Sequence, residues 1–210
     1  MHRRRRRFLV LAAGVLAVRP VLAVDLLEGV DYSVIPQQPV APGRRIQVVE
    51  FFYYGCRWCN ELQPRLEDWL NRKPADVDFR YQPAIRSKRW LVLTKAFFAL
   101  QAMGEVQRLH GRIYRAYHRE GVNLEDEAVL TGWLLKQGVE LKPFEQQMSA
   151  PETMAKVEAA RSDTYSYQVD STPSICVSGR YLTNSGMAGG VVPLMQVMED
   201  LVVMARQQRP

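Results

Sequence analysis

Residues 46–54, IQVVEFFYY, carry β-branched or aromatic side chains at nearly every position, with Glu50 as the one charge. A central strand buried on both faces has this pattern. Residues 77–81, VDFRY, alternate instead, with Val77, Phe79 and Tyr81 on the inward side, and predict a second strand. Between the two, Leu62, Leu66, Trp69 and Leu70 recur at helical spacing, so a helix follows Cys56, kinked at Pro64. A right-handed crossover makes the two strands of such a β-α-β unit parallel. Ahead of it, residues 31–35 predict a short edge strand, and PQQPVAPGRR a loop.

From residue 86 to about 168 the period becomes helical. Four segments are expected: WLVLTKAFFALQAMG, ending at a capping Gly104; VQRLHGRIYRAY; NLEDEAVLTGWLLKQG, between an Asn123 N-cap and a Gly138 terminator; and SAPETMAKVEAARSDTY, opened by Ser149 and Glu152 in capping-box spacing. SICV and RYLT then predict two strands joined by a tight hairpin turn at Ser178-Gly179. Leu194, Val197, Met198, Leu201, Val202 and Ala205 form one face of a last helix that packs on the sheet. The expected class is α/β: a sheet domain in two parts, 24–85 and 169–210, interrupted by an all-α insertion at 86–168. There is no internal repeat, and the only low-complexity run is an arginine cluster near the start.

That cluster changes how the charge is interpreted. The formal net charge is +6, but six of the 28 basic residues lie in residues 1–23, leaving 22 against 22 acids. A neutral remainder argues against a phosphate-binding surface, and no nucleic-acid partner is expected. MHRRRRRFLVLAAGVLAVRPVLA has the basic, apolar and small-residue parts of an export signal, cut after Ala23 to leave Val24 first. Its eleven apolar residues, Phe8 to Val18, fall short of a bilayer span. Export implies an oxidising compartment, where disulfides persist.

Only three cysteines are present, Cys56, Cys59 and Cys176. A disulfide-stapled domain would hold more, and zinc would need about four clustered ligands, whereas there is no second C-x-x-C. No metal site and no organic cofactor are expected. His110 and His118 fit an amphipathic helical stretch, and Trp90, Phe97, Phe98 and Trp133 fit a core. The C-x-x-C follows a buried strand and opens a helix, so Cys56 stands at the N-terminus beside unpaired backbone N–H groups that favour its thiolate. Arg57 adds cationic influence. Cys59, almost one turn further on, is more shielded. Cys56 is the expected nucleophile and Cys59 the resolver of a mixed disulfide. Thr172-Pro173 precedes a predicted strand. If cis, it would pack beside Cys56 and leave the backbone of Thr172 free to pair with an extended substrate.

A strand EFFYYGC, the second cysteine, a helix, a long helical insertion and then STPSICVSGRYLT together resemble the DsbA family of exported thiol–disulfide oxidoreductases. The resemblance spans nearly all of residues 25–206. It implies a thioredoxin-like fold with an inserted helical domain, with Cys56 and Cys59 as the active-site pair and Pro173 as the cis-proline. It also implies Glu50 as a buried acid beneath the resolving cysteine and Arg80 as that acid's basic partner. Family members commonly carry Pro-His between the cysteines; here Arg57-Trp58 stand there, and Trp58 supplies no histidine charge, which implies a weaker oxidant. Cys176 stands where the family has an aliphatic strand residue, and is expected to be a buried, inert thiol. The implied function is disulfide exchange with exported, cysteine-containing proteins in the periplasm, as an oxidase reoxidised by a quinone-coupled membrane partner. A reductase or isomerase on the same scaffold, a thiol-independent chaperone and a glutathione-transferase-like enzyme are the alternatives.

Overall fold

The computed structural model describes residues 25–40, 43 and 45–208; the expected export signal and its cut at Ala23 lie outside them. Among the described residues five strands form one mixed sheet in the order β1-β5-β4-β2-β3, with β1 Ser33–Val34, β2 Ile46–Phe52, β3 Val77–Pro83, β4 Ser174–Val177 and β5 Tyr181–Asn184. β2 and β3 are parallel, joined through α1 (Arg57–Arg72), and β4 is antiparallel to both β2 and β5. The apolar run of β2 is therefore explained by its place between β3 and β4. Six of its seven residues are buried, Glu50 among them.

After β3 a short 3-10 turn, Lys88–Trp90, leads into five helices: α2 Leu91–Ala102, α3 Val106–His118, α4 Glu127–Lys136, α5 Leu141–Met148 and α6 Pro151–Ser166. The sequence predicts four segments, and α5 is the one missed. Its Pro143 looks like a breaker but falls in the first turn, where no intrahelical N–H is lost. Two predicted caps also move. Asp126, not Asn123, caps α4, accepting from the Ala128 and Val129 N–H groups at 2.9 and 3.1 Å. Ser149 ends α5 rather than capping α6, which begins at Pro151 in the first helical position.

α1 continues through Pro64 as one helix and buries Leu62, Leu66 and Trp69 against the sheet, alongside α7 (Val191–Gln207). All six apolar positions predicted for the last helix are buried. The opposite sheet face carries a smaller cluster that includes Val49, Phe51, Tyr167 and Cys176. The largest cluster joins Phe52 and Tyr54, at and just past the end of β2, and Cys59, in the first turn of α1, to the interior of α2–α6. The β4–β5 turn needs Gly179, at φ +66°, because a Cβ there would stand 2.7 Å from the Gln38 carbonyl oxygen.

Candidate active site

β2 ends at Phe52, and three residues later the chain turns into α1. The Cys56 N–H bonds the Tyr53 carbonyl at 3.0 Å, and the Cys56 carbonyl accepts from the Asn60 N–H at 3.1 Å, the first helical bond. Gly55 is required in this turn, because a Cβ would lie 2.5 Å from the Tyr53 ring. Cys56 is the N-cap residue in extended conformation. It is half-buried, while Cys59, on the inner face of the first turn, is fully buried; both are free thiols.

The two thiols sit in opposed environments. As a thiol, Cys56 donates to the Thr172 carbonyl oxygen at 3.1 Å. As a thiolate it accepts from the Cys59 thiol, from the Thr172 hydroxyl and from the backbone N–H groups of Cys59 and Trp58. These bonds overcome burial and hold its pKa down at about 6. Burial, followed by the hydrogen bond it gives to Cys56, pushes Cys59 well above the ordinary thiol value. The Thr172-Pro173 peptide is cis.

Glu50 is wholly buried in the middle of β2, level with Tyr81 of β3 and Ile175 of β4. Among the described residues neither carboxylate oxygen has a hydrogen-bond partner. Burial, with the nearby Cys56 charge second, raises it to about 8. Arg80 is not its partner. Side chains alternate along a strand, so Tyr81 shares the face of Glu50 and Arg80 points the other way. There Arg80 bonds Gln82 and lies 3.9 Å from Asp163. Cys176 is opposite Val49 on that same far face, buried, its pKa raised by desolvation.

Arg57 is mostly exposed and pairs with Glu61 at 3.0 Å, so it is absent from the groups that lower Cys56. Trp58 contributes its backbone N–H while its side chain stands 47% exposed. His110 is buried, bonds the Tyr54 hydroxyl through Nδ1 at 2.7 Å, and is held neutral by desolvation, at about 3. His118 Nε2 meets the Tyr54 carbonyl oxygen at 2.8 Å. Among the described residues no three His, Cys, Asp or Glu side chains gather as a metal site.

One feature was not predicted. The Tyr53 hydroxyl bonds Glu125, which also accepts from Tyr117 at 2.9 Å and pairs with Arg89 at 2.8 Å. The Tyr53 ring stacks on Trp90, 4.1 Å between centroids and 3° from parallel. The aromatic run 51–54 was the available signal, but it looked like strand core alone.

A buried thiol stands beside a half-buried thiol of low pKa, at the start of a helix that follows the central strand of a thioredoxin-like sheet, and this arrangement suits thiol–disulfide exchange. The profile described as DSBA-like thioredoxin domain matches residues 76–202. Thiol:disulfide interchange protein DsbA of Azotobacter vinelandii is 31% identical over 183 residues, covering 87% of this chain and 86% of the relative. The protein of the same name from Burkholderia cepacia is 28% identical, over 95% and 93%. Among solved structures, that of Pseudomonas aeruginosa DsbA superposes with a TM-score of 0.83 at 29% identity, covering 88% of this chain and 97% of the other. Oxidoreductase DsbA from Xylella fastidiosa gives 0.80 at 28%, over 87% and 98%. The chain belongs to the DsbA-like thioredoxin family and is a thiol:disulfide oxidoreductase.

Proposed function

We propose that the protein is a periplasmic dithiol oxidase of exported proteins, working through Cys56 and Cys59. The observation that carries this is the Cys56 pKa of about 6 beside a buried Cys59 held far higher. A disulfide oxidises strongly when its reduced form is stabilised, and a stable Cys56 thiolate supplies that stabilisation. In the first step a substrate thiolate attacks Cys56 Sγ of the Cys56–Cys59 disulfide, and Cys59 leaves and takes up a proton. A second substrate thiolate then attacks the substrate sulfur of the mixed disulfide, and Cys56 leaves as the thiolate. The substrate dithiol becomes a disulfide, two electrons stay on the protein, and a quinone-coupled membrane protein withdraws them. On this reading Thr172, whose carbonyl oxygen accepts from Cys56 at 3.1 Å, and Pro173 after it are the substrate-binding residues, and the basic and apolar parts of residues 1–23 support export.

Four measurements test this reading. Alkylation of the reduced protein labels Cys56 first, with a pH midpoint near 6, and Cys59→Ala traps mixed disulfides. Equilibration with glutathione gives a potential above about −270 mV, the thioredoxin value; a potential at or below it makes the protein a reductase instead. Full biological activity of Cys56→Ser would replace both with a thiol-independent chaperone.

A further inference from the structure

α1 and α3 pack closely where Gly111 faces Glu67, and beside that contact they leave a groove of about 330 Å³. Asn60, Pro64 and Glu67 belong to the α1 wall; Arg108, Arg112, Arg115 and Arg119 line the other. Their spacing of four, three and four places all four guanidinium groups on one face. Arg108 is committed to Glu105 at 2.6 Å and to the Gln137 carbonyl at 2.8 Å. Among the described residues Arg112 reaches only a neutral amide, Gln137 Oε1 at 3.3 Å. The side chains of Arg115 and Arg119 are exposed and have no hydrogen bond or ion pair among the described residues. Solvated helices ordinarily interleave such rows with acids three or four residues away. α3 itself contains none, and Glu105 just before it is taken up by Arg108, so Arg112, Arg115 and Arg119 repel one another. The chain beyond residue 23 is formally neutral, so this row is a local concentration of positive charge, faced across the groove by the one carboxylate of Glu67.

The groove also has a defined start. Asn60 follows Cys59 directly and lies one turn of α1 from Cys56. The His118 ring, one residue before Arg119, meets the carbonyl of Tyr54, two residues before Cys56, at 2.8 Å, so a chain held to Cys56 by a mixed disulfide starts beside the Arg119 end of the row and extends along it at about 3.3–3.6 Å per residue. Guanidinium groups form paired hydrogen bonds with carboxylates, and a row of them steers an acidic chain into register.

We propose that the α1–α3 groove binds an acidic segment of the cysteine-bearing substrate protein, through Arg112, Arg115 and Arg119. This specificity surface rests on the dithiol reading of Cys56 and Cys59. The test compares two reduced dithiol peptides with a common core, one with an Asp/Glu-rich tail and one with an Asn/Gln-rich tail, the tail placed at either end. The acidic peptide is oxidised with a kcat/KM about tenfold higher at low salt, and the advantage fades at high salt. The triple variant Arg112→Gln, Arg115→Gln, Arg119→Gln loses the preference but keeps the neutral-peptide rate and the alkylation midpoint of Cys56. Arg180→Gln, on the β4–β5 turn at the other end of the sheet, keeps the preference. Equal rates in the unaltered protein, or a preference that survives the triple variant, overturn the proposal. So does binding to phosphatidylglycerol-containing vesicles that the triple variant abolishes without any peptide preference, which would assign the groove to a membrane surface. Failure of the dithiol reading would show differently, as oxidation of neither peptide, and fluorescence anisotropy of a cysteine-free acidic tail would then still report on the groove.

Discussion

Cys56 and Glu50 titrate in opposite senses, and the signs decide how stability follows pH. The folded pKa of Cys56 is depressed to about 6 in the dithiol form, so its contribution is complete above the unfolded thiol value of 9.0 and is lost as pH falls through 6. Denaturant unfolding of the reduced and disulfide forms is expected to show the reduced form gaining on the disulfide form from about pH 6 to 9. Glu50 is raised to about 8, so the folded state binds its proton more tightly, and that contribution is lost as pH rises from 4.5 to 8. Glu50→Gln removes this loss. It should be the more stable protein near pH 8, by on the order of 4 kcal/mol, with the gap closing towards pH 4.5. The cysteine pair was legible in the sequence because a strand end, two thiols and a helix start are all local features. The environment of Glu50 was only half legible: its burial follows from the apolar run around it, but a partner in Arg80 required knowing the register of β3. A shift of one residue turns a side chain to the other face of a sheet.

The secondary-structure elements show the same division between local and distant information. Strand β2, helix α1 and helix α7 were fixed by period, because each buries a continuous stripe. Cap residues were not, since N123-L-E-D126 offers several acceptors and only the path of the chain selects one. Asp126 is the residue that satisfies two helical N–H groups, so Asp126→Ala should cost about 1 kcal/mol in urea unfolding. Asn123→Ala and Ser149→Ala, whose side chains cap no helix, should stay within about 0.5 kcal/mol of the unaltered protein. A larger loss for Asn123 than for Asp126 would reverse the assignment. α5 escaped notice for a related reason: eight residues with a proline third give little periodic signal, and its helical state depends on burying Phe144 and Met148 among the other helices.

In the molecule as a whole, the helical layer meets the cysteine pair through the apolar packing of Phe52, Tyr54 and Cys59. Tyr53 adds a polar joint. Its carbonyl takes the Cys56 N–H, its own N–H supports the Cys59 sulfur, and its hydroxyl leaves the sheet to bond Glu125 between α3 and α4. Burial raises the Glu125 pKa, but the bonds from Tyr53, Arg89 and Tyr117 outweigh it and hold the carboxyl below its usual value. A depressed carboxyl contributes stability that is present above the unfolded pKa and lost as pH falls through the folded one. Glu125→Ala should therefore destabilise the protein at neutral pH, by about 1–2 kcal/mol for the hydroxyl bonds left unmade, with the difference shrinking in acid. Tyr53→Phe removes one of those bonds and should cost less, and the double variant should lose little more than Glu125→Ala alone, because that change already removes the Tyr53–Glu125 bond. Two independent losses that simply add in urea unfolding would mean that Glu125 stabilises the helical layer alone, and that the sheet and its cysteine pair are held by apolar packing without this clasp.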